Sequence, residues 1–101
     1  MRAGAIAALA LAGVLPAAHA DLALASSKAC MACHTVDRKV IGPAFKDVAA
    51  RYKEQKGAAD MLTTKILKGG SGAWGPVPMP ANTQVSEADA KKLAAWVLTL
   101  K

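Results

Sequence analysis

The chain is poor in the residues from which most sites are built: among its 101 residues are two cysteines, two histidines, two tryptophans, one tyrosine and one phenylalanine. With no third cysteine, a zinc centre built on a Cys-x-x-Cys pair lacks the two further ligands that tetrahedral coordination needs. With no alternation of strands and helices, the same pair lacks the βαβ setting of a thioredoxin-like redox site. The apolar stretch from Ala5 to Val14, with Pro16 just beyond it, falls short of the roughly 20 residues that span a bilayer. Basic residues form no long run and do not cluster with aromatics, which argues against a nucleic-acid-binding surface. There is no internal repeat, no low-complexity segment after the first 20 residues and no length for a second domain.

What is present begins with an export signal. Arg2 supplies a positive start, Ala5 to Val14 a short apolar stretch, and Ala18-His19-Ala20 a small-x-small cleavage pattern. Residues 1–20 are therefore expected to be removed, leaving one domain over residues 21–101 in the periplasm. Dropping Arg2 from the 13 Lys and Arg leaves 12 against 7 Asp and Glu, a surplus of +5 on 81 residues. A domain of this size buries only about 60–65% of its unfolded surface and commonly needs a staple.

The staple is encoded at Cys30-Met31-Ala32-Cys33-His34. Cys-x-x-Cys-His is the c-type haem attachment signature, in which each thiol adds to a haem vinyl group and the imidazole ligates iron. The cofactor implied is one haem c, joined covalently through Cys30 and Cys33, with His34 as an axial ligand. A large apolar body at the centre lets short helices wrap it without a deep core of their own.

Periodicity predicts helices throughout and no strand. The first is expected from about Leu22 to Cys33 on a weak apolar face. Phe45, Val48, Ala49 and Tyr52 fall at i, i+3, i+4 and i+7 on a second. A third is predicted over Ala58–Lys68, ended by Gly69 or Gly70. In the fourth, Ser86 and Asp89 resemble a capping box and Leu93, Val97 and Leu100 form a stripe. Between the last two, Gly69 to Asn82 is so dense in glycine and proline that it reads as irregular.

A sixth ligand must come from what remains. His19 lies in the segment expected to leave, so methionine, lysine, water or nothing can fill the position opposite His34. Met1 departs with the signal and Met31 is too close to His34 to reach the far face. Met61 sits on an amphipathic helix, where methionine commonly fills core gaps. Met79, bracketed by Pro78 and Pro80, has the isolation a ligand loop needs, and is the expected second axial ligand. A thioether favours ferrous iron and closes it to small ligands, which points to electron transfer rather than oxygen chemistry.

Four segments together, the attachment motif, Ile41 to Ala49, Trp74 to Pro80 and Ala95 to Leu98, resemble in order and spacing the class I c-type cytochromes of the small bacterial cytochrome c-551 or c8 group. The resemblance implies an all-α class I cytochrome c fold, four short helices wrapped around the haem. It implies a soluble carrier shuttling electrons between respiratory complexes, such as to a terminal oxidase or nitrite reductase. It further implies that the Pro43 carbonyl accepts the His34 ring N–H, that Trp74 and Lys65 face haem propionates, and that Asn82 hydrogen-bonds the Met79 sulfur. Two departures stand out. Ala25 replaces the bulky residue the family usually places five positions before the first cysteine, and the connection Asn82 to Ser86 is one residue longer than usual.

The basic surplus, including Lys28, Arg38, Lys39, Lys46, Arg51, Lys53 and Lys56, suggests steering toward redox partner proteins with acidic docking surfaces. The expected state is a monomer without stable membrane insertion. The alternative functions are a ligand-binding haem sensor or enzyme, or a haem subunit of a larger redox complex.

Overall fold

A computed structural model describes the backbone from residue 17 and the side chains from residue 21. The predicted signal therefore lies outside the described residues, apart from the backbone of residues 17–20. Four helices follow in order: α1 (Ala17–Ser27), α2 (Phe45–Tyr52), α3 (Ala58–Lys68) and α4 (Glu87–Leu98). A single 3₁₀ turn, Cys30–Ala32, follows α1, and two short strands, β1 (Gly70–Gly72) and β2 (Gly75–Met79), lie between α3 and α4.

Helix α4 is the hub, packing on α1, α2 and α3. Its Ser86 cap accepts a hydrogen bond from the Asp89 amide at 3.1 Å, and Glu87 and Asp89 place negative charge at its positive end. The inward face buries Ala90, Leu93, Ala94, Trp96 and Val97. Burying Leu93 and Val97 contributes about 1.5–3 kcal/mol each. Trp96 meets Phe45 of α2 edge-on, with ring centroids 5.6 Å apart. Ala25 is fully buried in the same cluster, and Leu22 and Leu24 pack against its rim. The missing bulk at position 25 is thus made up by small buried alanines on both helices and by two flanking leucines.

Helix α1 ends six residues before the expected Cys33. Ala29 takes a left-handed conformation (φ 67°), and such a residue cannot continue a right-handed helix. Alanine gives no sequence signal for this stop, which glycine or asparagine would have given. The chain then tightens so that the Cys33 and His34 amides both donate to the Cys30 carbonyl (3.3 and 3.1 Å).

From His34 to Pro43 the chain folds back on itself. Thr35 Oγ1 accepts from the Arg38 amide, and the Gly42 amide donates to the Cys33 carbonyl at 2.7 Å. The return satisfies the start of α2, whose first amides, on Phe45 and Lys46, donate to the Thr35 and Val36 carbonyls. It also brings Gly42 against the His34 ring. A Cβ at Gly42 would sit 2.5 Å from His34 Cε1 and 2.9 Å from Nδ1.

The stretch expected to be irregular contains an antiparallel hairpin, pairing Gly70 with Met79 and Gly72 with Gly75. Pro76 and Pro78 are compatible with it because the positions of β2 that pair with β1 are Gly75 and Met79, and neither is a proline. Gly69 ends α3 at φ 73° and is crossed closely by the Met79–Ala81 backbone, where a side chain would collide.

The glycines differ in what they permit. Gly57 has φ 79° and open space around its Cβ position, so Gly57→Ala should cost only the left-handed penalty of about 1–2 kcal/mol. Gly42→Ala should cost about 1–3 kcal/mol through overpacking and should also displace the His34 ring. Denaturant unfolding and the His34 ring resonances of both variants check this; unshifted His34 signals in Gly42→Ala would contradict the close approach.

The candidate haem site

The loop return, α2, α3 and the hairpin enclose a cavity of about 220 Å³. Its walls are largely apolar: Ile41, Phe45, Val48, Leu62, Ile66 and Val97 are among them. His34 and Met79 both line it, as do Cys33, Pro43, Lys65 and Trp74. Met61, expected as a core filler, is partly buried against the core and lines the same cavity. Two of the eight residues singled out from sequence, Cys30 and Asn82, lie outside its lining.

The imidazole is held from two sides. Its Nδ1 lies 2.8 Å from the Pro43 carbonyl. A carbonyl oxygen only accepts, so Nδ1 carries the proton, and in the neutral imidazole Nε2 is the nitrogen that keeps the lone pair. The ring also stacks on Phe45, with centroids 4.8 Å apart and planes 23° from parallel. An imidazole so fixed presents a single basic nitrogen in a defined direction.

Cys30 and Cys33 lie half-buried at either end of the 3₁₀ turn, with no disulfide between them. Burial pushes the Cys30 thiol above its ordinary pKa, offset in part by a backbone hydrogen bond. Burial thus favours the protonated thiol at Cys30.

Lys65, in the last turn of α3, runs its ammonium over Gly70, where a Cβ would stand 2.6 Å from Nζ. Trp74 sits at the tip of the hairpin, 40% exposed, with its ring against Tyr52 (centroids 6.2 Å apart) and under the guanidinium of Arg51.

Asn82 does not have the partner expected of it. Its Nδ2 donates to the Ile66 carbonyl at 2.8 Å, as does its backbone amide at 3.1 Å. Ile66 is in the last turn of α3, where carbonyls have no helical partner, and Asn82 caps it instead of reaching the Met79 sulfur. Gln84, from the lengthened connection, donates to the Asn82 Oδ1 and to the Lys28 carbonyl, tying this cap to the turn before Cys30. Sequence reasoning missed Gln84 and Arg51, whose partners lie 56 and 22 residues away. No short-range spacing signals such contacts.

The donor set suits a haem. A flat apolar macrocycle matches the walls, a nitrogen lone pair and a thioether are available from the lining, and thiols stand beside the histidine. Groups of three or more His, Cys, Asp or Glu that could hold a bare metal ion are absent among the described residues.

Known proteins agree with this fit. The family model described as Cytochrome c matches residues 22–101. The chain is 56% identical over 84 residues to cytochrome c-552 of Nitrosomonas europaea, covering 83% of this chain and 82% of that one. It is 49% identical over 87 residues to cytochrome c-551 of Allochromatium vinosum, covering 86% and 93% respectively. The crystal structure of the Nitrosomonas europaea protein superposes with a TM-score of 0.77 at 55% identity, over 79% of this chain and 99% of that one. A class 1 cytochrome of Sideroxydans lithotrophicus ES-1, MtoD, is similar at 28% identity with a TM-score of 0.69, over 81% of this chain and 94% of that one. With an attachment motif, an apolar cavity and these relatives, the chain belongs to the cytochrome c family, as a small class I c-type cytochrome with one covalently attached haem c that carries electrons and is not an enzyme.

Proposed function

We propose that Cys30 and Cys33 form the two haem thioethers and that His34 and Met79 ligate the iron from opposite faces. The observation that carries this reading is the shared cavity, lined by both His34 and Met79 although they lie far apart in the chain. When bound, haem supplies one-electron chemistry, its iron cycling between ferrous and ferric states. The chain's own residues set the terms. Pro43 and Phe45 hold the imidazole, so little reorganisation accompanies electron transfer. The β2 strand presents Met79 from a backbone restrained by prolines on either side, which lowers the entropy lost in ordering it. Apolar walls exclude water and so disfavour the more highly charged ferric state. Trp74 and Lys65 offer a donor and a positive charge toward the propionates.

The protein in this reading acts as a monomer in the periplasm after removal of residues 1–20. No described helix is long and apolar enough to cross a membrane. Its partners are redox proteins with acidic docking surfaces. Not every basic residue serves them: Lys46 is paired with Asp37 at 2.7 Å, and Arg51 is engaged with the hairpin. Steering therefore falls to others, such as Lys39, which lies at the cavity. Electron exchange with an acidic partner should slow as salt rises, since charges are screened beyond about 8 Å at 0.15 M. A second-order rate unchanged from low to high salt would leave the lysines a solubility role only.

Met79→Ala tests the ligation. The haem should stay attached, the weak far-red band of ferric iron–methionine bonding should vanish, the potential should fall, and cyanide and carbon monoxide should bind readily. Met61→Leu should cost less than about 1.5 kcal/mol and leave the spectrum unaltered. Loss of the band in Met61→Leu with retention in Met79→Ala would assign the ligand to the wrong wall of the cavity.

A further inference from the structure

Arg51 lies on the solvent side of α2, in its last turn, where sequence alone reads a solvated charge. The structure gives it three simultaneous contacts. Its Nη1 donates to the Ala73 carbonyl at 2.7 Å. Its guanidinium carbon stands 4.5 Å from the centre of the Trp74 ring and 5.3 Å from that of Tyr52. Tyr52 and Trp74 meet edge-on at 78°, which completes the cluster.

Only a planar, forked cation can do all of this together, because stacking uses its face while the hydrogen bond uses its edge. The target is the weakest part of the enclosure. Ala73 and Trp74 form the turn between β1 and β2, flanked by Gly72 and Gly75 at φ 93° and 116° with no neighbour at their Cβ positions. A two-stranded ribbon is marginally stable by itself. Of the residues in that turn, both Ala73 and Trp74 line the cavity.

We propose that Arg51 is a positioning residue that latches Trp74 and the β1–β2 turn over the mouth of the haem cavity, thereby limiting water access and holding up the reduction potential. The proposal rests on the cavity being the haem site, but not on which methionine ligates the iron. Releasing the latch lets the hairpin open locally while α4 and its packing stay closed. Water then reaches the haem edge more often and stabilises ferric iron, so the potential falls.

The test uses the haem-loaded protein carrying Arg51→Met, which keeps an unbranched stem, and Arg51→Lys, which keeps the charge but not the fork. In the reduced state, hydrogen exchange of the paired hairpin amides in Arg51→Met should quicken about tenfold relative to that of the Leu93 and Ala94 amides, a change equivalent to about 1.4 kcal/mol. The Trp74 indole N–H resonance should move, and the potential should drop. Arg51→Lys should recover only part of each effect. The His34 and iron–methionine spectral signatures should persist in both variants; their loss in the unsubstituted protein would instead sink the ligation reading. Equal acceleration of hairpin and α4 amides, with an unmoved indole signal, would overturn the latch in favour of a general stability role. Full recovery by Arg51→Lys would overturn it in favour of a point charge.

Discussion

The contact between the His34 imidazole and the Gly42–Pro43 backbone constrains the rest of the molecule. The ring sits so close to Gly42 that no Cβ is accommodated, and its Nδ1 is tied to the next residue's carbonyl. For both to hold, the chain must reverse between residues 34 and 43, and that reversal delivers Phe45 to stack on the same ring and start α2. Phe45 in turn meets Trp96, so the orientation of the imidazole is coupled through two aromatic contacts to the central helix α4. One hydrogen bond of this kind contributes only about 1 kcal/mol. Its importance is geometric: it decides which ring nitrogen is free and which wall of the cavity presents it.

The opposite wall is built differently. There the chain supplies almost no apolar packing of its own, and the hairpin is held by glycines that allow close crossings and by prolines that restrict the backbone. Gly69 lets the end of α3 pass the Met79–Ala81 backbone, and Asn82 then caps the Ile66 carbonyl. Helix ending, strand pairing and placement of Met79 are consequently one structural event. The wall bearing the histidine is rigid through packing; the wall bearing the methionine is rigid through backbone restriction and a few polar ties, of which the Arg51 contacts and the Gln84 bridge are the longest in sequence.

Sequence reading succeeded where side-chain period decides structure. The i, i+3, i+4 pattern around Val48 placed α2, and Ala58–Lys68 emerged as a helix with the same ends. It failed where backbone conformation decides. The left-handed Ala29 stops α1 with no glycine to announce it. Pro76 and Pro78 discouraged a strand assignment, although the positions of β2 that pair with β1 are Gly75 and Met79. Among the site residues, the motif and the proline bracket picked out Cys33, His34 and Met79, which share one cavity, although Cys30 lies outside its lining; the partner of Asn82 depended on which α3 carbonyl lacked a donor, and that is visible only once the helix end is placed.

Ligation of the iron by Met79 across the cavity from His34 is tested most directly by NMR of the reduced, haem-loaded protein with methionine methyl groups labelled. A methyl held directly over a porphyrin is shifted strongly upfield by the ring current, so a single methionine methyl should stand far from the others and connect through sequential assignment to Met79. Met31 and Met61 should resonate without such a shift. An extreme upfield methyl belonging to Met61, or the absence of any, would contradict the proposed coordination and the placement of the hairpin as the ligand-bearing wall.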